Sequence, residues 1–280
     1  MARTGKREGT AEERMAHKAL NVLIITDLEG ISGVSTIDAI PSGTELYRKA
    51  CEDLVLDTNT AVSALYDGGA ERVYVLDGHG SGNNFIPGML DKRAVQVTIS
   101  DLSLVIKDTS CVVLVGMHAM AGTRCAFLDH TQNSAKIHRY FYNGKRIGEM
   151  SQAAVFAGHY GVPIVAVTGD LAACKEACEL FGDIPTAVVK TAVKRNEAKC
   201  LPYSEARERI YSAVKLGLLN IENAVAWDVK LPLTVEIEFN RCDYADDALE
   251  NNPSLERIDE YVVRSVKTEI EGYLDVLILY

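Results

Sequence analysis

Four short apolar runs constrain the fold of this chain more than any other feature. Each has the length and the β-branched composition typical of a strand buried on both faces. Segments with loop character or helical periodicity separate them, and buried strands alternating with helices predict a parallel sheet with helices on both faces, an α/β fold. The runs are residues 22–25, 72–76, 111–115 and 163–167.

The pattern changes along the chain and predicts three parts. Residues 1–20 are polar and lack the apolar stretch of a secretory signal, so we expect a mobile leader outside the core. Residues 21–190 are predicted to form the α/β domain, with a hairpin at 136–147 around Asn143-Gly144, a strong turn signal. Residues 191–280 are predicted to form a smaller α+β unit, with helices at 204–219 and 269–279 and strands at 233–239 and 260–266.

Charge and composition exclude several classes of protein. The net charge of -10 and the pI of about 5.2 argue against a nucleic-acid partner. No apolar run approaches the roughly 20 residues that span a bilayer, so we expect no membrane partner. The seven cysteines are scattered without a Cys-x-x-Cys pair, which favours reduced thiols and a cytoplasmic location.

Polar residues with metal-binding character follow three of the predicted strands. Asp27 and Glu29 follow the first, His79 the second and His118 the third. Because the carboxyl ends of parallel strands meet at one sheet edge, we expect these side chains to lie together. Glu149, which opens a predicted helix, is a further candidate, although an acid in a first turn also suits the helix dipole. Mixed imidazole and carboxylate ligands favour zinc, with manganese, cobalt or iron as alternatives.

Two other features compete for this edge of the sheet. The glycine-rich loop 78–82, with Asp101 after the next strand, imitates a dinucleotide fingerprint, but its third glycine comes one position early and the following segment contains Pro87-Gly88. Nucleotide binding is therefore disfavoured, and no cofactor-binding residues are assigned. His130 lies in an irregular segment, where it is either solvent-exposed or a general acid or base beside the metal site.

Several motifs together resemble one known family. Five short motifs resemble those of the DppA-type D-aminopeptidases in their order and approximate spacing. They are Asp-x-Glu-Gly-Ile-Ser-Gly, Asp-Gly-His-Gly, Gly-Met-His-Ala, Asp-His-Thr and Gly-Glu. The similarity runs from about residue 21 to the C-terminus. In this chain the motifs begin at Asp27, Asp77, Gly116, Asp129 and Gly148.

The resemblance implies a dinuclear zinc centre. Asp27 would bridge both metals, Glu29 and His118 would complete one site, and His79 and Glu149 the other, with His130 as the catalytic group. It also implies a homo-oligomer, a decamer of two stacked pentamers around a central chamber. Three positions differ from residues common in the family, which affects the expected substrate preference: Gly78 replaces a serine, Met117 a tyrosine and Ala153 an asparagine.

We therefore expect a cytoplasmic zinc aminopeptidase. It would remove N-terminal residues from short peptides, with a preference for D-residues such as D-alanine that rests on the resemblance alone. A bound metal lowers the pKa of water towards about 7 and so supplies a nucleophile at neutral pH. The alternatives are another metal-dependent hydrolase on the same cluster, such as a phosphoesterase, and a non-catalytic nucleotide-binding module.

Overall fold

The computed structural model describes residues 19–280. The predicted leader therefore lies outside the described residues except for its last two positions. Twelve strands occur in the described part of the chain: β1 Asn21–Thr26, β2 Arg72–Asp77, β3 Ala94–Val97, β4 Cys111–Met117, β5 Ile137–Tyr142, β6 Lys145–Ile147, β7 Ile164–Asp170, β8 Thr186–Lys194, β9 Glu197–Cys200, β10 Leu233–Phe239, β11 Glu256–Arg257 and β12 Val262–Lys267.

Six α-helices accompany the strands. They are α1 Glu45–Asp67, α2 Leu102–Val105, α3 Glu149–His159, α4 Leu171–Phe181, α5 Tyr203–Leu219 and α6 Cys242–Asn251. No helix among residues 19–280 is both long and apolar enough to cross a membrane.

The strands form two sheets. The first has the order β3-β2-β1-β4-β7-β8-β9 and is parallel except for β9, which pairs antiparallel with β8. The second has the order β11-β12-β10-β5-β6 and is antiparallel throughout. The chain moves outward from β1 through β2 to β3 and then returns to the other side of β1 with β4. The direction of winding thus reverses between β1 and β4, which is where ligands bind in open parallel sheets.

Both faces of the first sheet are covered, because successive side chains of β1 enter different cores. Val22 and Ile24 pack in the core that includes α1 and α5. Leu23 and Ile25 pack in the other, which includes α3, α4 and the second sheet. The predicted fold class, a parallel sheet with helices on both faces and a smaller α+β part, is confirmed.

Two details of the predicted pattern differ in the structure. The segment from Thr186 to Cys200 forms β8 and β9 at the edge of the first sheet, and neither strand was predicted. Residues 269–280, here called the C-terminal segment, contain only a short 3-10 turn, Tyr273–Val276, instead of the predicted helix. The reason is that Val276, Leu277 and Ile278 are buried next to the second sheet. There Tyr142 donates to the Val276 carbonyl, and the Ile278 N–H donates to the Tyr140 hydroxyl at 2.8 Å.

The predicted division into domains at residues 190 and 191 stays a prediction. Strand β9, after this boundary, belongs to the first sheet, and the hairpin β5–β6, before it, belongs to the second. The two sheets share one hydrophobic core. The hairpin matters for function because it lies between His118 and Glu149 in the chain and returns Glu149 to the edge where β1, β2 and β4 end.

Candidate metal centre

The strand ends at the reversal point are held together by backbone hydrogen bonds. The Asp27 N–H donates to the Val115 carbonyl and the Gly30 N–H to the Gly116 carbonyl, both at 2.8 Å. Gly116 has a φ of +78°, and a Cβ there would lie 2.2 Å from the Asp27 carbonyl oxygen. Only glycine fits such a position, since it combines a left-handed backbone with close contact to another chain segment. The loop after β1 is therefore fixed to the end of β4.

The first group of side chains consists of Asp27, Glu29 and His79. His79 Nδ1 lies 3.0 Å from Asp27 Oδ1 and 3.0 Å from Glu29 Oε2. Donor atoms from the three residues all lie within 4.8 Å of one another, close enough to hold one metal ion. One nitrogen and several carboxylate oxygens are ligands that zinc accepts.

The second group consists of His118, His130 and Glu149. His118 Nε2 and His130 Nε2 lie 3.5 Å and 3.9 Å from Glu149 Oε1, and the imidazole rings stack with centroids 4.0 Å apart. Each ring places its Nδ1 next to a backbone carbonyl, that of Ala119 at 3.0 Å for His118 and that of Leu128 at 2.8 Å for His130. A carbonyl only accepts, so both Nδ1 atoms carry the hydrogen and both Nε2 lone pairs are free for a metal or a proton.

Asp27 joins the two groups. Its Oδ1 lies beside His79, while its Oδ2 lies 3.1 Å from His118 Nε2. The expectation that Asp27 is shared between two sites therefore has geometric support. The grouping differs from the one implied by the family resemblance, however. Glu29 lies with His79 rather than with His118, and Glu149 lies with His118 rather than with His79.

Buried donor atoms in the centre lack hydrogen-bond partners. Asp27 Oδ2, Glu29 Oε2 and His118 Nε2 are buried and form no hydrogen bond of acceptable geometry, although Asp27 Oδ2 lies 3.1 Å from His118 Nε2 and Glu29 Oε2 lies 3.0 Å from His79 Nδ1. Leaving such atoms unpaired costs about 1–3 kcal/mol each, and more when they are charged. Unpaired lone pairs that converge on one point are expected where a cation binds. The set of three carboxylates and three imidazoles is chemically suited to two divalent ions.

The electrostatics of the centre also favour positive charge. Burial would lower the pKa of His79, but Asp27 and Glu29 raise it to about 11. Burial would also lower the pKa of His118, but Glu149 and Asp27 hold that pKa well above its usual range. Conversely, the pKa of Asp27 lies well below its usual range, because the two imidazoles outweigh its burial. Divalent cations bound here would displace the protons that His79 and His118 otherwise hold, as is general for metal sites.

Two supporting residues were not identified from the sequence. Lys190, on β8, is buried and donates at 2.6 Å to the carbonyls of both Glu29 and Val34. Its position directly after the apolar pair Val188-Val189 was the sequence signal that could have identified Lys190 as a buried lysine. The backbone N–H of Gln132 donates to Glu149 Oε1 at 2.7 Å. No sequence pattern indicates that contact, because it depends on the path of an irregular loop.

The glycine-rich loop 78–82 does not have the geometry of a dinucleotide site. Within the described chain no helix follows it before β3, so the helix N-terminus that binds pyrophosphate is missing. Asn84 instead donates to Asp77 and to the His79 carbonyl, which fixes the loop so that His79 faces the centre. Asp101 binds the Thr98 N–H at 2.8 Å and closes a local turn. The structure therefore favours the metal site over the nucleotide alternative.

Comparisons with known proteins agree with this architecture. The chain is 29% identical over 206 residues to the D-aminopeptidase of Bacillus subtilis (strain 168), covering 72% of this chain and 74% of that one. Its fold matches that of the Zn-dependent D-aminopeptidase DppA from Bacillus subtilis, described as a self-compartmentalizing protease, with a TM-score of 0.86, 24% identity and coverage of 92% of this chain and 95% of that chain. The family model described as D-aminopeptidase matches residues 20–278, so this chain belongs to the D-aminopeptidase family, as its motifs predicted.

Proposed function

We propose that the protein is a zinc-dependent aminopeptidase that removes N-terminal residues, with a preference for D-residues such as D-alanine, from short peptides. The observation that carries the proposal is the pair of donor groups joined by Asp27, in which buried lone pairs converge without partners. Family membership supplies the reaction class, and the description of the fold relative as Zn-dependent supports zinc over other divalent metals.

One ion would be held by Asp27, Glu29 and His79. The other ion would be held by Asp27, Glu149 and His118. Two ions bound here would supply Lewis acidity and an activated water at neutral pH. The protein contributes fixed positions, because Lys190 and the backbone of β4 hold the Asp27–Glu29 loop rigidly. Side chains that are already in position do not have to reorganise during the reaction, which lowers its barrier.

His130 is the candidate proton carrier. Its Nδ1 hydrogen is bound to the Leu128 carbonyl, so the ring is oriented and Nε2 is left as an acceptor. Nε2 lies 3.9 Å from both Glu29 Oε1 and Glu149 Oε1, and the side chain is 15% exposed. From this position it would accept a proton during attack on the peptide carbonyl and return it to the leaving amine. The same position would also allow it to act as a third ligand beside His118 and Glu149.

We also propose where the protein acts and how it assembles. A cytoplasmic location is suggested by the seven free cysteines. We also propose a homo-oligomer, in its finer form a decamer of two stacked pentamers. The neighbour's description as self-compartmentalizing supports this. The apolar C-terminal segment does not, because Val276, Leu277 and Ile278 are buried within the chain itself. Light scattering behind a sizing column measures the assembly, and a species near the 30.6 kDa chain mass would exclude it.

The decisive experiment combines metal analysis with a substrate panel. Purified protein is analysed for zinc, manganese, iron and cobalt, then tested on matched D- and L-aminoacyl dipeptides and on aryl phosphoesters. We expect about two zinc ions per chain and cleavage of D-aminoacyl peptides that chelation abolishes and zinc restores. Faster cleavage of L-peptides would overturn the D-preference, and turnover of phosphoesters alone would favour the alternative hydrolase.

A further inference from the structure

A small apolar cavity adjoins the candidate metal centre. It has a volume of about 90 Å³, and two of the proposed ligands, Asp27 and Glu149, form part of its wall. The remaining wall is mostly apolar and comes from the first sheet, the loop after β2, the loop before α2, the loop before β5, helix α3 and the C-terminal segment. Its polar side chains are those of Thr26, Gln132 and Tyr273. Its apolar side chains are those of Ile25, Leu76, Ile99, Met117, Ala153 and Leu277.

The cavity is built on the same backbone that carries the ligands. Met117 directly precedes His118, and Gly78, which also lines the cavity, directly precedes His79. Ala153 lies four residues after Glu149 on α3, so both side chains project from one face of the helix. A group bound next to the metals would therefore have its nearest substituent within reach of this cavity. These three positions are also those at which the sequence differs from the motifs common in its family.

The C-terminal segment closes the far side of the cavity. Tyr273 and Leu277 both line it, and Tyr273 packs edge-on against Phe156 of α3 at a centroid distance of 5.5 Å. The hydrogen bonds from Tyr142 to Val276 and from Ile278 to Tyr140 fix the segment against the second sheet. The cavity wall is thus anchored and not a loose loop.

We propose that this cavity is the subsite for the side chain of the substrate's N-terminal residue, and that it selects aliphatic side chains no larger than about four carbon atoms. The inference deepens the proposed peptidase function and rests on it. The lining sets the chemistry, because a polar side chain would lose its water and find few partners. The volume sets the size, since a cavity of roughly 150 Å³ holds benzene, whereas this one is too small for a phenyl ring.

Two substitutions change the cavity in opposite directions. Ala153→Leu fills it, and Leu277→Ala enlarges it. Each methylene gained or lost in such a pocket changes discrimination by roughly 10- to 200-fold. For Ala153→Leu we expect the ratio of kcat/KM for N-terminal valine over glycine to fall at least tenfold. For Leu277→Ala the ratio for phenylalanine over alanine should rise at least tenfold. Leu274→Ala is the control, because Leu274 is half exposed in the same turn and does not line the cavity.

The assay uses dipeptides with N-terminal glycine, alanine, valine and phenylalanine, in the configuration that the zinc-loaded enzyme accepts. Metal content is measured for every variant, so that loss of metal is not mistaken for altered specificity. Unchanged ratios in both variants would overturn the subsite. A shift in the Leu274→Ala control equal to that in Leu277→Ala would do the same, since a general effect of the turn would then explain the result.

A binding measurement separates failure of the subsite from failure of the proposed function. If no peptide is cleaved, the peptidase proposal fails, and the cavity is then tested with valine hydroxamate, which carries a metal-binding group and an aliphatic side chain. Stabilisation of the zinc-loaded wild type, measured by thermal unfolding and reduced at least tenfold in apparent affinity by Ala153→Leu, would support the cavity as a side-chain site. Equal affinity in both proteins, or no binding, would overturn it.

Discussion

Replacing Gly30 with alanine should damage the candidate metal centre without removing any ligand. A Cβ at this position would lie 2.1 Å from the Met117 carbonyl oxygen and 2.4 Å from the Gly116 carbonyl carbon. Ordinary contact begins near 3.4 Å, so the two backbones would have to separate by about 1.3 Å, the difference between 3.4 and 2.1 Å. Both clashing atoms belong to the backbone of β4, where no side chain can rotate away. Gly30 has no positive φ, so the effect is steric alone.

The magnitude follows from the contacts that such a separation breaks. Overpacking of this kind costs about 1–3 kcal/mol, and loss of the Gly30–Gly116 hydrogen bond about 1 kcal/mol more. For a chain of this size each kcal/mol lowers the Tm by roughly 2–4 °C, which gives a decrease of about 5–15 °C. Glu29 would move away from His79 with the loop, and a displacement of about 1 Å in a reacting group can reduce turnover roughly 100-fold.

The assay compares wild type, Gly30→Ala and Gly272→Ala by thermal unfolding, zinc content and peptide cleavage. Gly272 is a matched control because it has an extended φ of -141° and its Cβ would meet nothing closer than Asp275 Oδ2 at 3.9 Å. We expect the control to keep its Tm within about 2 °C, as is usual for surface substitutions. A Gly30→Ala protein with unchanged Tm, full zinc content and full activity would refute the reasoning that close backbone approach fixes the ligand loop.

Three further predictions concern single side chains. Asp27→Ala should lose both metals, because it removes the ligand shared by the two groups; elemental analysis that finds two ions in this variant would exclude the bridging role. His130→Ala should keep its metals and lose roughly 100-fold or more in kcat, the usual scale for a positioned acid or base; loss of metal would instead make His130 a ligand. Lys190→Met removes the side-chain donor to the Glu29 carbonyl and leaves the Val34 carbonyl with only the weak Cys200 thiol donor, so it should lower stability by about 2 kcal/mol and weaken zinc affinity. Lys194→Met, at an exposed position of the same strand, is the control and should change neither the stability in a denaturant titration nor the affinity in a zinc titration. Equal effects of the two substitutions would contradict the role of Lys190 in positioning Glu29.

The sequence predicted the parts of the fold that local pattern determines. Helix α5, Tyr203–Leu219, lies within one residue of the predicted 204–219, and β10 spans Leu233–Phe239 as expected, because both have strong periodicity of a single kind. The alternation of buried strands and helices also predicted a parallel sheet, in which the carboxyl ends of the strands meet at one edge. That is why polar residues distant in sequence were expected to lie together at one edge of the sheet.

The features that the sequence did not reveal depend on tertiary contacts. The C-terminal segment has the composition of a helix, but burial against the second sheet and the hydrogen bonds of Tyr140 and Tyr142 determine its actual conformation. Strand β8 contains a buried lysine, Lys190, and an exposed one, Lys194, and β9 is only four residues long with exposed Glu197 and Lys199, which weakens the apolar signal of a strand. The grouping of Glu29 with His79 depends on side-chain direction beyond the strand end, which strand order alone does not fix.

The distance in sequence between Glu149 and Tyr273 has a consequence for how the protein is made. Every proposed metal ligand has been synthesised once residue 149 leaves the ribosome, but the wall formed by Tyr273 and Leu277 comes more than a hundred residues later. Strand β10, to which the hairpin β5–β6 is hydrogen-bonded, also comes later. Since chains fold progressively from the N-terminus during synthesis, the ligands precede the surface that would choose a substrate. A nascent chain would thus contain every ligand of the proposed metal centre before it contained the wall that would select the substrate, and the last segment to be synthesised would complete the cavity.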